Sequence, residues 1–122
     1  MKKVKTRSNK EPSQFSAEFS NGVVTRIESC FDIVSSIEMK KDAKTGEEKE
    51  ETVFEYTFAF DNKLIRSREK LISSLIRLRF SVDDEIALNR QRDTKQEDWN
   101  AYNLFAEEAK NFANKVFANS NS

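Results

Sequence analysis

Two segments of two-residue periodicity constrain this chain more than anything else in it. From Thr25 to Met39 the apolar side chains Ile27, Phe31, Ile33, Ile37 and Met39 fall on odd positions, while Glu28, Asp32 and Glu38 take the other parity. From Thr52 to Phe60 the even positions read Phe54, Tyr56, Phe58 and Phe60, opposed by Glu55, Thr57 and Ala59. Successive side chains of a strand point to opposite faces, so each pattern predicts a strand with one apolar face. Between them lies KKDAKTGEEKE, whose Thr45-Gly46 suits a hairpin end that needs a positive φ.

Two registers bring the apolar faces together. If paired residue numbers sum to 91, Phe31 faces Phe60, Ile33 faces Phe58 and Ile37 faces Phe54, and the stem sets Lys40 against Glu51, Lys41 against Glu50 and Asp42 against Lys49. A sum of 89 sets Lys40 against Lys49 and Asp42 against Glu47. Cross-strand charge pairs contribute only about 0.2–1 kcal/mol, but their sign favours 91. The expected hairpin carries a charged tip beyond the core.

Downstream the period changes to that of helices. Asp61 or Asn62 can cap a helix to about Phe80, with Leu64, Ile65, Leu71, Ile72, Leu75 and Ile76 on its buried face. Arg66, Lys70, Ser73 and Arg77 then form a basic ridge on its exposed side, while Arg68 and Arg79 lie beside the apolar stripe, where an arginine snorkels or pairs with a carboxylate. Ser81 opens a second helix with Asp83, Asp84 and Glu85 in its first turn, where the helix dipole favours acids, ending near Arg92. Thr94 and Glu97 form a T-x-x-E capping box for a third helix from Lys95. Trp99, Tyr102, Ala106, Ala109, Ala113 and Val116 make its seam, with Phe105 and Phe112 on one flank and Leu104 and Phe117 off it.

Residues 1–14 are polar, hold the only proline and show no periodicity, which predicts a flexible basic arm carrying Lys2, Lys3, Lys5, Arg7 and Lys10. Phe15 and Phe19 precede the turn signal Asn21-Gly22, so 15–24 can supply a third strand or a loop. A single domain over 15–118 and a solvated tail at 119–122 complete the organisation. The expected fold is α+β, a long antiparallel β-hairpin covered by a C-terminal three-helix segment. A lone hairpin is marginal in water, so a further strand, another copy or a partner must complete the sheet.

Several function classes are disfavoured. The chain has no histidine and one cysteine, Cys30, which removes triads with a histidine base, zinc sites of the usual ligand sets and an internal disulfide. Gly22 and Gly46 lie too far apart for a phosphate-cradling loop, and Asp83 to Glu85 cap a helix rather than converge on a metal. No apolar run reaches the ~20 residues of a membrane span, and no apolar segment follows the lysine-rich start as a signal peptide requires. We therefore expect no catalytic, cofactor or metal site, hence no enzyme.

Charge is balanced in total but sorted along the chain, +3 over 1–22, −4 over 23–60, +4 over 61–80 and −3 over 81–122. Such blocks can set register between neighbouring elements or copies. The basic arm can contact nucleic-acid phosphates, thread into a protein groove or simply solubilise the chain. The Arg66, Lys70, Arg77 ridge can bind nucleic acid, dock on acids such as Asp83 to Glu85, or be solvated. With Lys40, Lys41, Glu50 and Glu51 of the stem, and Leu104 and Phe117, these are the candidate partner-binding residues.

The run from Arg77 to Lys110 resembles the C-terminal part of small proteins encoded by tailed phages of gut bacteria, where a pattern close to R-x-[YF]-S-x-D-D-E-I-A-x-x-R-Q, then W or F, then Y-x-x-[YF]-x-E-x-x-K recurs. Matching residues are Phe80, Ser81, Asp83, Asp84, Glu85, Ile86, Ala87, Arg90, Gln91, Trp99, Tyr102, Phe105 and Lys110, while Asn89 stands where an apolar residue is expected. The resemblance covers about a quarter of the chain and implies a phage virion structural or assembly protein, made in the host cytoplasm, with no activity. The resulting expectation is a non-enzymatic protein of a multi-copy particle contacting other subunits, including copies of itself. The alternative is a small accessory protein binding nucleic acid, or inhibiting a nucleic-acid enzyme, through the arm and ridge.

Overall fold

Both turn signals act as the residue types demand. Asn21 and Gly22 adopt φ of 54° and 77°, as a two-residue hairpin loop requires, and Gly46 adopts 72° at the far hairpin end. The computed structural model describes residues 1–118, and the tail expected at 119–122 lies outside the described residues. The elements run β1 (Lys2–Ser8), β2 (Phe15–Ser20), β3 (Val23–Lys41), β4 (Glu48–Ile65), α1 (Arg68–Arg79), α2 (Val82–Arg90) and α3 (Gln96–Ala118). The strands form one antiparallel sheet in the order β1-β4-β3-β2. This is an α+β fold with a sheet larger than a hairpin.

The two extra strands correct the reading of the N-terminal third. Residues 2–8 are not a flexible arm: they pair with β4 from Lys2 opposite Phe60 to Ser8 opposite Phe54. Their own sequence is polar, but an edge strand needs only a backbone partner, which β4 provides. β2 pairs with β3 from Phe15 opposite Ser29 to Ser20 opposite Val23, so 15–20 is the third strand. The 9–14 connection crosses between the two edges. Its Asn9 bonds Glu51 and its Gln14 bonds Glu108 of α3, which places the crossing on the helix side.

The hairpin register departs from 91. From Arg26 to Phe31 the paired numbers sum to 88, as in Cys30 opposite Phe58, and from Val34 onward to 89, as in Ser36 opposite Val53. One extra residue in β3 at Asp32–Ile33 makes the change, and Asp32 has a φ of 54°. A bulge of one residue reverses the facing of everything beyond it. Ile27 and Phe31 therefore point into the core, whereas Ile37 and Met39 share the other face with Phe54. The charge argument misled because pairing is not confined to directly opposite residues. Lys40 stands opposite Lys49, yet its Nζ reaches Glu51 diagonally at 2.6 Å.

β4 turns its small odd residues, not its aromatics, to the helices. Thr57 and Ala59 are buried there with Val24, Ile27, Ser29, Phe31 and Ile65. Phe54, Tyr56, Phe58 and Phe60 line the opposite, helix-free face, half-buried beside Val4 of β1 and Cys30 of β3. Small residues under the helices allow a close approach. Leu71, Leu75 and Leu78 of α1 and Ala109 and Ala113 of α3 close the core. Phe105 is 1% exposed and sits at the centre of the α3 seam, with ring centroids 5.1 Å from Phe15, 5.7 Å from Phe80 and 6.4 Å from Phe31.

Two helix starts also differ from the local signals. Asp61 and Asn62 do not cap α1, because they pair with Ile27 and Arg26 in the sheet. The helix starts at Ser67, whose hydroxyl accepts from the Lys70 N–H at 3.2 Å, so Ile65 is a core strand residue and Leu64 is exposed. Thr94 donates to the Gln91 carbonyl instead of capping α3, which begins at Gln96. At α2 the expected opening at Ser81 holds, and it takes the form of a capping box, Ser81 Oγ accepting from Asp84 N–H and Asp84 from Ser81 N–H.

The division of β3 gives a direct test. Phe105→Ala should lower unfolding free energy by about 3–5 kcal/mol, as for other buried phenylalanines, whereas Ile37→Ala should change it by less than about 0.5 kcal/mol, as at other surface positions. Urea titration at micromolar concentration measures both.

Candidate interaction surfaces

Helix α2 buries none of its residues, so hydrophobic packing alone does not hold it. A polar clamp does. Both Arg77 guanidinium nitrogens reach the Glu85 carboxylate, at 2.7 and 3.1 Å, and the Tyr102 hydroxyl donates to the same carboxylate at 2.7 Å. One carboxylate thus ties α1, α2 and α3 together, in the two-pronged geometry that strengthens arginine pairs. The Arg77 bond holds the Glu85 carboxyl below its ordinary range. Burial first, then the Glu85 bond, push the Tyr102 phenol up to about 12. Phe80 and Trp99 flank Tyr102 with centroids at 5.2 and 5.7 Å.

Arg79 performs the matching task at the bulge. Its guanidinium pairs with Asp32 at 3.2 Å and lies 5.0–5.2 Å from the rings of Phe31, Phe80 and Phe105. Cations over aromatic faces gain from the ring quadrupole, more so when partly desolvated. Lys3 joins from β1, donating to the Arg79 carbonyl at 3.3 Å. These residues border an open cleft of about 550 Å³ that Asp84, Leu88 and Asp98 complete.

Past Ser35 and Phe54, where β1 ends, β3 and β4 continue as a two-stranded ribbon. From the bulge outward Ile33, Val34, Ile37 and Met39 are 43–67% exposed, four large apolar side chains within seven consecutive residues, Val34 on the helix-side face and Ile37 and Met39 on the other. The ribbon is continuous with the aromatic row on the helix-free sheet face. That row is braced at its other end by Arg26, whose guanidinium lies 4.3 Å from the Phe60 ring centroid and 2.8 Å from Glu28.

The expected partner-binding residues scatter over these surfaces, and several are engaged within the chain. Lys3, Lys5 and Arg7 share the helix side of β1, and Lys2 the other. Arg7 bonds Glu38 and approaches Glu55 at 3.9 Å. Lys10 lies in the 9–14 connection with its N–H on Ser8 Oγ. In the stem the Lys40 bond, assisted by Asn9, holds Glu51 below its ordinary range, while Lys41 stands opposite Glu48 and Glu50 opposite Met39. The basic ridge does not form as one row, because Arg66 precedes α1 while Lys70 and Arg77 lie on it. Arg77 docks on the acidic start of α2. Leu104 is exposed, but Phe117 packs on Phe19 at 5.3 Å and belongs to this chain's own core. Arg68 is paired as expected, with Glu69 at 3.2 Å and with Asn114.

The exposed residues Ile33, Ile37 and Met39 were missed as a surface because their parity matches Ile27 and Phe31. Only the bulge separates the two sets, and nothing in the local composition marks it. Among the described residues, no three His, Cys, Asp or Glu side chains converge as a metal site requires, and no helix is long and apolar enough to cross a membrane. No protein-family model, curated protein or solved structure matches this chain.

The clamp makes two predictions. Glu85→Gln should cost about 1 kcal/mol, as expected for a partly exposed ion pair, and amide hydrogen exchange should quicken in α2 more than in α1. In a Tyr56→Phe background, the absorbance of phenolate should report Tyr102 ionising near pH 12, and Glu85→Gln should lower that value part of the way, since burial remains. The folded pKa exceeds the unfolded value near 10. The stability this phenol contributes is therefore complete below pH 10 and is lost as pH rises towards 12.

Proposed function

We propose that this chain is a non-enzymatic structural or assembly component of a tailed-phage particle, acting through contacts with other protein subunits, including its own copies. The observation that carries the reading is the ribbon with its base at the bulge, where large apolar side chains stand outside the core. Exposed apolar groups gathered in one place mark contact surfaces. The phage context comes from the resemblance over Arg77 to Lys110, whose residues build the Arg77–Glu85–Tyr102 clamp and the Phe80–Phe105 contact. On this reading the motif serves packing, and its value is to present α2 and the ribbon on a rigid body.

Strand β1 weighs against the nucleic-acid alternative. Lys3 and Arg7 spend their charge on the helix side of the sheet, holding β1 in place. Co-expressed with a tailed-phage particle in its host, the chain should co-sediment with gradient-purified particles in many copies. A chain that stays in the soluble fraction of the gradient overturns the proposal.

A further inference from the structure

The outer edge of β3 changes character along its length. β2 covers it as far as Ser29, and the Cys30 N–H donates to the Gln14 carbonyl at 3.0 Å. Past Lys41 the chain leaves for the turn, where Asp42 N–H donates to the Glu47 carbonyl at 2.8 Å. Between these points, residues 31–41 present backbone groups that no strand among the described residues pairs. Natural sheets seldom leave a long apolar edge open, because it templates pairing with another chain.

We propose that this edge pairs antiparallel with the same edge of a second copy, about a two-fold axis at Ser36, so that two sheets join into one. The inference deepens the assembly reading above and rests on it. Three observations select this occupant and this register. A two-fold axis keeps each residue on the same face in both copies, and directly opposite residues share a face, so paired numbers must sum to an even value. The free edge 31–41 is centred on residue 36, which gives a sum of 72; the shared facing runs from Ile33 to Met39, since Phe31 lies before the bulge and faces the core. A sum of 70 places Lys41 opposite Ser29, where Phe15 already sits.

Charge agrees with that choice. At 72, Lys40 of each copy, which also holds Glu51 of its own chain, lies opposite Asp32 of the other, which also holds Arg79; both side chains keep more than half their surface exposed, and Ile33 lies opposite Met39, with Ser35 opposite Ile37. At 70, Asp32 meets Glu38, and at 74 Asp32 meets Asp42 while Lys41 meets Ile33. Like charges directly opposite are destabilising. The ribbon's other edge is a poor candidate, because Glu48, Glu50 and Glu51 would meet their own kind and Asn9 already bonds Glu51. A strand of this length buries less than the roughly 1,600 Å² of a standard interface. The contact is therefore weak between free copies and gains from many copies held side by side.

Cross-linking reads the register directly. In a Cys30→Ser background, full-length Ser36→Cys should form a disulfide dimer under mild oxidation at least ten-fold faster than Val34→Cys or Glu38→Cys alone, because only residue 36 lies opposite itself. Val34→Cys mixed with Glu38→Cys should cross-link to each other. Adding Ile37→Lys should slow the Ser36→Cys reaction at least ten-fold without moving the melting temperature. Equal rates at the three positions, or a faster reaction at 34 or 38, overturn the pairing. If the Ser36→Cys dimer forms but the chain does not enter particles, the assembly role fails and the pairing stands. If the chain enters particles without that cross-link, the pairing alone fails.

Discussion

One extra residue in β3 decides which apolar side chains of this protein are core and which are surface. Below Asp32, β3 shares a register with β4 that buries Ile27 and Phe31 under the helices; above it, the same alternation points Ile37 and Met39 away. The bulge is held by more than its own backbone. Asp32 meets Arg79 at the end of α1, and Arg79 in turn sits among Phe31, Phe80 and Phe105. The site where the sheet changes facing is thereby tied to the centre of the core, and the ribbon begins where the covering helices end.

Polar contacts supply what the short elements lack. Helix α2 has too little apolar surface to pack by itself and is held by one carboxylate that receives Arg77 and Tyr102 together. β1 has a polar sequence and is secured by backbone pairing, with Lys3 and Arg7 anchoring its helix-side face. The sorted charge blocks of the sequence thus act first within the chain. The basic block of α1 meets the acidic start of α2, and the basic N-terminal strand meets the acidic hairpin.

Much of the fold is legible in the sequence where a residue's local role and its tertiary role coincide. The α3 seam, the start of α2 at Ser81 and the Asn21-Gly22 turn are of this kind. Legibility ends where distant backbone partners override local preference. Asp61 and Asn62 are good helix caps, but β3 recruits them into the sheet, and the polar residues of β1 become a strand because β4 offers an edge. The register was misjudged because Lys40 reaches Glu51 on a diagonal, and that pair offsets the like charge of Lys49 directly opposite. Phe117 was expected at a partner surface because Phe19 of β2, on which it packs, is distant in sequence. The exposed apolar ribbon was invisible as a surface for the same reason that the bulge was.

The account stands on the change of register across Asp32, and nuclear Overhauser contacts between Hα protons of β3 and β4 read it without substitution. At the pairs that lack inter-strand hydrogen bonds, contacts from Arg26 to Phe31 should join residues whose numbers sum to 88, and contacts from Val34 onward should join residues summing to 89. A single sum running unbroken from Ile27 to Lys40 would contradict the bulge, the outward facing of Ile37 and Met39, and the free edge that follows from them.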